Sequence, residues 1–294
     1  MHRFYIPPEN WNPDALVLRQ SEAHHARDVL RMKRGDKAIL FNGEGREINA
    51  EVIELHGDEI RLRKLHETET PPFRCLITLG QAIPKGKSMD LIVQKAVELG
   101  AAEIAPIISE RTIVTLHAKE AAQKRAKWRQ VAIEAAKQSG QNWLPHVLTP
   151  LTLKELFSDV ATGLRPVAQE TSHRDVATTF DLRLIGSLQP DAQHLKKILA
   201  DYSRDSQRRS QSPLPPSAIG RETKDESKQI GSEKAKSRPA SVLILIGPEG
   251  DFTPAELALA KSHDCLPITL GPIILRVETA AIYCLSVLSY ELLS

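Results

Sequence analysis

The rhythm of apolar and polar positions changes near residue 72. Before it, apolar residues recur in short alternating runs, LVLRQ, KAILFNGEG, REINAEVIELHG and DEIRLRKLHE, separated by turn signals such as Asn42-Gly43 and Gly57-Asp58. Alternation predicts half-buried strands, so this part reads as a small all-β unit with one helical stretch, Glu22 to Arg31. Pro71-Pro72 closes it. From Phe73 onward the runs lengthen and alternate in type: RCLITLGQAI, the amphipathic SMDLIVQKAVELG, EIAPIIS, then a helix over Lys119 to Ser139. Strand following helix in this order predicts a parallel sheet covered by helices, hence an α/β fold. VLILIG, a helix from Thr253 to His263, the strand LPITL and an apolar helix from about Glu278 to Leu293 continue the pattern.

Between about Ser203 and Ala240 the pattern stops. Ser, Lys, Arg, Glu, Gln and Pro dominate there, and such a segment cannot bury enough apolar surface to offset its ordering entropy. It is expected to be a disordered insertion within the α/β region.

Three stretches carry candidate chemistry. In VLILIGPEGDFTPAELAL a buried strand runs into Gly-Pro-Glu-Gly and then a helix start, where Thr253 and Glu256 form a capping box around Pro254. Ligands in open α/β sheets bind beyond the carboxyl ends of strands, where this loop lies. In LGPIILRVETA a second strand again ends in Gly-Pro and delivers Arg276, Glu278 and Thr279 to a helix start. The two turns can face each other across one crevice, offering backbone groups and the apolar Ile246, Leu270 and Leu275 to a flat heterocycle. Spacing alone also allows Glu278 to be a carboxylate favoured by the helix dipole, and Arg276 to be paired with Glu249 or Glu278. The third stretch, GQAIPKGKSMD, imitates a phosphate-binding loop, but its glycines are wrongly spaced and Pro84 removes a needed donor.

Composition adds bounds. A net charge of +2 neither demands nor excludes a nucleic-acid partner. The cysteines, Cys75, Cys265 and Cys284, suit buried thiols in a reducing compartment rather than a disulfide framework. No run reaches the roughly 18 to 20 apolar residues that span a bilayer, so a cytoplasmic protein without membrane contact is expected.

IGPEGDF, LGPIILRVETA, PKGKSMDLIVQKAVELG, ISERT and EAAKQSGQNWLP, in this order behind MHRFYIPP, resemble the ribosomal small-subunit (16S) RNA uridine-N3 methyltransferases of the SPOUT class. The resemblance covers almost the whole chain outside the polar insertion. It implies a PUA-like β-barrel for RNA over residues 1–72 and a trefoil-knotted, S-adenosylmethionine-dependent α/β domain over 73–294. A homodimer acting on small-subunit RNA or the assembled subunit is also implied. By position, Ile246, Gly247, Glu249, Gly250, Leu270, Gly271, Leu275 and Arg276 would hold the cofactor, with Arg276 and Glu278 catalytic. Arg3, Arg31, Lys33 and Arg34 of the barrel, with Lys85 and Lys87, would face RNA. Three departures remove positive charge or change a glycine: Ile273 and Gln141 stand where the family carries Arg, and Asp251 replaces the last glycine of GPEGGF. A SPOUT enzyme acting on another RNA nucleotide, or an RNA-binding protein without catalysis, are the rival readings.

Overall fold

The structure, a computed structural model, describes residues 1–112, 117–162, 180–211 and 240–293. The alternating runs form strands β1 (His2–Tyr5), β2 (Leu16–Arg19), β3 (Lys37–Phe41), β4 (Arg46–His56) and β5 (Glu59–Glu69). They build one five-stranded sheet in the order β1-β3-β4-β5-β2. Its inward positions, among them Phe4, Leu18, Leu40, Ile48 and Ile60, make a core of their own. The helical stretch expected at Glu22 to Arg31 begins and ends two residues earlier, and its second half is wound more widely than an α-helix. It comprises α1 (Gln20–His24) continued by one π-helical turn over His25–Val29, and the chain leaves it through Arg31 at a left-handed φ of 53°.

The second sheet contains β6 (Leu76–Ala82), β7 (Glu103–Ile107), β8 (His146–Val147), β9 (Leu182–Gly186), β10 (Gln193–His194), β11 (Ser241–Ile246) and β12 (Leu266–Thr269). Every pairing in it is parallel, in the order β10-β12-β9-β11-β6-β7-β8. Strand β11 is buried at all six positions, as an unbroken branched run requires in the middle of a covered sheet.

Helices α2 (Ser88–Glu98), α3 (Ala118–Ser139) and α7 (Val277–Leu292) cover one face, and α4 (Leu153–Thr162) and α6 (Pro254–Ser262) the other. Helix α5 (Leu195–Gln211) follows the edge strand β10. It therefore occupies residues 203–211, where disorder was expected; the rest of the polar insertion, 212–239, lies outside the described residues. Along α7, Val277, Ala281, Leu285, Leu288 and Leu292 recur at helical spacing and are buried, while Tyr283 and Tyr290 on the opposite side are exposed. Helix α7 thus has one inner and one outer face. Burial pushes the thiols of Cys75, Cys265 and Cys284 up to about 12, which keeps them protonated and inert. Among the described residues, no helix is long and apolar enough to cross a membrane.

The two sheets meet along a polar seam. Gly140, in the left-handed conformation at φ 77°, ends α3 and releases the segment Gln141–Leu144 across the β-unit. There Gly45 donates to the Asn142 carbonyl (3.0 Å), Leu144 donates to the Gly43 carbonyl (2.9 Å), and the Trp143 indole donates to the Thr70 carbonyl (2.9 Å). A Cβ on Gly45 would stand 2.6 Å from the Trp143 ring, so only glycine lets the segment lie this close. Tyr5 and Phe41 of the β-unit pack into the core of the larger sheet, making the seam apolar beneath its polar rim.

Candidate functional site

Strands β12, β9 and β11 are neighbours, and the loops leaving their carboxyl ends enclose a cleft of about 520 Å³. That volume lies within the range of small-molecule sites. One wall is Ile246, Gly247, Pro248 and Glu249 after β11; a second is Leu270, Gly271 and Ile273 to Arg276 after β12; the third is Gly186, Ser187 and Leu188 after β9. Ser88, the first residue of α2, and Val277 and Glu278, at the start of α7, also line it, as does Asp251. Two helix amino ends therefore direct unpaired backbone N–H groups and positive dipole ends at one space, which suits a ligand carrying carboxylate or delocalised negative charge.

The first two walls were legible as Gly-Pro turns, and the third was missed. Its signal was nevertheless present: RLIGSL is a short apolar run ending in glycine, the same signature as LILIGPEG and LPITLGP. Of the expected cofactor-binding residues, Ile246, Gly247, Glu249, Leu270, Gly271, Leu275 and Arg276 line the cleft. Gly250 lies off it, its carbonyl accepting a hydrogen bond from the Arg111 guanidinium.

Arg276 is the N-cap residue of α7 and is exposed; Glu278 sits in the first turn, half-buried. Among the described residues neither makes an ion pair, so the local pairing of Arg276 with Glu249 or Glu278 is not formed. Glu249 instead accepts the Lys85 backbone N–H at 2.8 Å. Both side chains are left free at the cleft.

Asp251 explains its own departure from glycine. Its φ of 62° is left-handed, a conformation glycine adopts without strain and aspartate tolerates better than most residues. In return its carboxylate accepts the Phe252 N–H at 2.8 Å and the Leu188 N–H at 3.4 Å. The second contact ties the wall after β11 to the wall after β9.

Beneath the loop, the expected capping box is formed: Thr253 Oγ1 accepts the Glu256 N–H at 3.2 Å and the Glu256 carboxylate accepts the Thr253 N–H at 2.9 Å. The same carboxylate, nearly buried at 7% exposure, also takes the Ser109 hydroxyl and the Glu110 N–H, both at 3.0 Å. One carboxylate thus holds the loop after β7 against the loop after β11.

The expected RNA-facing cations divide. Arg31, Lys33 and Arg34 are exposed beyond the π turn, and Lys85 and Lys87 are exposed beside the cleft, their side chains in no ion pair among the described residues. Arg3 is a correction. Its side chain is 11% exposed, paired with Glu47 at 2.6 Å, donating to Asn142 Oδ1 at 2.7 Å and lying 4.9 Å over the Phe41 ring, so it belongs to the seam. Gln141 is also a seam residue, accepting the Trp143 N–H, and its lost charge does not touch the cleft. Ile273, 72% exposed, does line it.

Comparison with known proteins agrees with this geometry. The model of the RNA methyltransferase domain matches residues 71–195 and 217–289, and that of the RNA methyltransferase PUA domain matches 18–65. The chain belongs to the RNA methyltransferase family. Its architecture is the SPOUT fold, with a trefoil-knotted parallel-sheet domain and an amino-terminal PUA-like barrel. Among relatives in the family, the ribosomal RNA small subunit methyltransferase E of Bacillus subtilis is 29% identical over 273 residues, covering 92% of this chain and 88% of the relative. A solved methyltransferase from Legionella pneumophila, in complex with the bound cofactor SAM, superposes with a TM-score of 0.71 at 29% identity, covering 98% of this chain and 96% of that one. The ribosomal RNA small subunit methyltransferase E of Neisseria gonorrhoeae, bound to S-adenosyl methionine, superposes with a TM-score of 0.70 at 28% identity, covering 99% and 97%.

Proposed function

We propose that this chain methylates N3 of a uridine in small-subunit (16S) ribosomal RNA, using S-adenosylmethionine. The observation that carries the reading is the joining of unpaired Arg276 and Glu278 to one cleft at three parallel strand ends, in a chain of the RNA methyltransferase family. The cleft fits the cofactor: apolar Ile246, Leu270 and Leu275 suit an adenine ring, backbone groups of the three loops suit its edge and ribose, and the helix starts at Ser88 and Val277 suit a carboxylate. Ile246, Gly247, Glu249, Leu270, Gly271, Leu275 and Arg276, with Ser187 and Leu188, would hold it.

When bound, the cofactor supplies an electrophilic methyl group on a sulfonium. The chain's own residues must then prepare the nucleophile. A uracil N3 carries a weakly acidic proton and attacks only after losing it. Glu278 accepts that proton, directly or through one water. Arg276 stabilises the negative charge that spreads onto the uracil oxygens, and its place as N-cap lets the α7 dipole act in the same sense. Both groups sit at one helix start, so the backbone brings them to the same cleft.

Arg31, Lys33 and Arg34 on the barrel, and Lys85 and Lys87 beside the cleft, position RNA phosphates and read no sequence. The division of labour is an RNA-binding unit over residues 1–72 and a catalytic unit over 73–294. A homodimer is supported by the apolar surface left open at Ile273, Ile274, Tyr283 and Tyr290, with Leu91 beside α7. Small subunits from a strain lacking this activity, treated with the protein and labelled S-adenosylmethionine, should yield 3-methyluridine on nucleoside mass spectrometry. Label in transfer RNA or on ribose, with none on uridine N3, would refute the assignment.

A further inference from the structure

The loop Ser109–Thr112 follows β7 and belongs to no wall of the cleft, yet it is bound to one with unusual care. The buried Glu256 carboxylate takes the Ser109 hydroxyl and the Glu110 N–H, both at 3.0 Å, while the Thr253 hydroxyl donates to the Glu110 carboxylate at 3.0 Å. The Ser109 bond is buried, and a charge-assisted bond made away from water fixes a loop more firmly than a surface contact does. The effect of these bonds is to place Arg111 on the Gly250 carbonyl.

That contact uses one nitrogen of the guanidinium. Arg111 is exposed and has no carboxylate partner among the described residues. Lys85 reaches the same turn from another element, its N–H bound to Glu249 at 2.8 Å. Lys85 and Arg111 thus flank Glu249–Gly250, beside the cleft that Arg276 and Glu278 enter. The seam cations Arg3 and Lys137, by contrast, are spent on Glu47 and Glu22. A fixed guanidinium with free N–H groups matches the oxygens of a phosphodiester, which it can grip in two-pronged fashion.

We infer that Arg111 is a phosphate-binding residue for the RNA backbone at the rim of the cleft, held there by the Glu256 clamp. The inference rests on the RNA methyltransferase reading and adds to it a residue that neither charge pattern nor spacing had singled out. Lys85 is its companion on the other side of the turn.

The test uses full-length protein and unmodified small-subunit RNA made by transcription, with RNA affinity measured across a salt series and cofactor affinity measured by calorimetry. Arg111→Ala should weaken RNA binding several-fold and lower the slope of log affinity against log salt by about 1, with cofactor affinity unchanged. Arg111→Lys, which keeps the charge, should restore most of the slope and part of the affinity. Unchanged RNA affinity in Arg111→Ala would overturn the inference alone. So would a joint fall in cofactor and RNA affinity that lysine does not repair, since Arg111 would then only prop Gly250. Wild-type protein that binds cofactor but no RNA would overturn both this inference and the proposed function.

Discussion

The seam between the sheets and the cleft at the strand ends are built from the same residue types and use them oppositely. At the seam, Arg3, Asn142, Trp143 and Lys137 each meet a partner from the other unit, and the Lys137–Glu22 pair lies 11% and 15% exposed. At the cleft, Arg276, Glu278, Lys85 and Lys87 are left without ion-pair partners among the described residues. Satisfied polar groups hold a geometry; unsatisfied ones at a concave site are available to a ligand. The charge of a side chain therefore says less about its role than whether the fold has already spent it.

The largest effect that would sharpen this contrast is on turnover. Glu278→Gln should lower kcat by about 10²- to 10³-fold, with cofactor affinity within a factor of about two, because the group acts on the substrate proton. Near-normal kcat would remove Glu278 from the chemistry. Next comes the clamp. Glu256→Ala strands the donors of Ser109, Glu110 and Thr253 and should cost about 3 kcal/mol of stability, read from the urea midpoint at constant slope.

A smaller pair of effects opposes the seam to the barrel surface. Arg3→Ala should lower stability by about 2 kcal/mol, since Glu47 and Asn142 lose their partner, and leave the salt dependence of RNA binding unchanged. Lys33→Ala and Arg34→Ala should do the reverse, each reducing the salt slope by about 1 without moving the unfolding midpoint. If Arg3→Ala lost RNA affinity at full stability, the contrast would fail at its clearest point. The smallest effect belongs to Asp251→Gly. Relief of a left-handed aspartate offsets about 1 kcal/mol against the lost contacts to Phe252 and Leu188, so stability should change by less than about 0.5 kcal/mol. Cofactor dissociation should quicken, because the walls after β9 and β11 are no longer tied; a stopped-flow chase measures it.

Local signals carried well from sequence to structure. Apolar alternation marked the first sheet, the branched run at Val242–Ile246 marked a buried central strand, and the capping box at Thr253 is formed as read. Both Gly-Pro turns reach the cleft because glycine and proline restrict a backbone wherever they occur. What stayed hidden depends on partners distant in the chain. Arg3 was read as RNA-facing because nothing nearby announces Asn142, which lies 139 positions away. Glu256 announced its cap but not Ser109, 147 positions away. The wall after β9 was missed because RLIGSL has no proline to mark its turn, and because its neighbours β11 and β12 lie far along the chain. The trefoil knot is likewise a property of threading, to which periodicity is blind.

On the proposed function, the cleft transfers a methyl group and Arg276 acts on the reacting base rather than on binding alone. The most direct test treats unmodified small subunits with wild-type and Arg276→Ala protein under saturating S-adenosylmethionine, follows single-turnover formation of 3-methyluridine by mass spectrometry, and measures cofactor affinity for both. Wild-type protein should form 3-methyluridine, and the variant should form it about 10²-fold more slowly with saturable cofactor binding retained. An unchanged rate in Arg276→Ala, or no 3-methyluridine from wild-type protein that binds the cofactor, would contradict this reading.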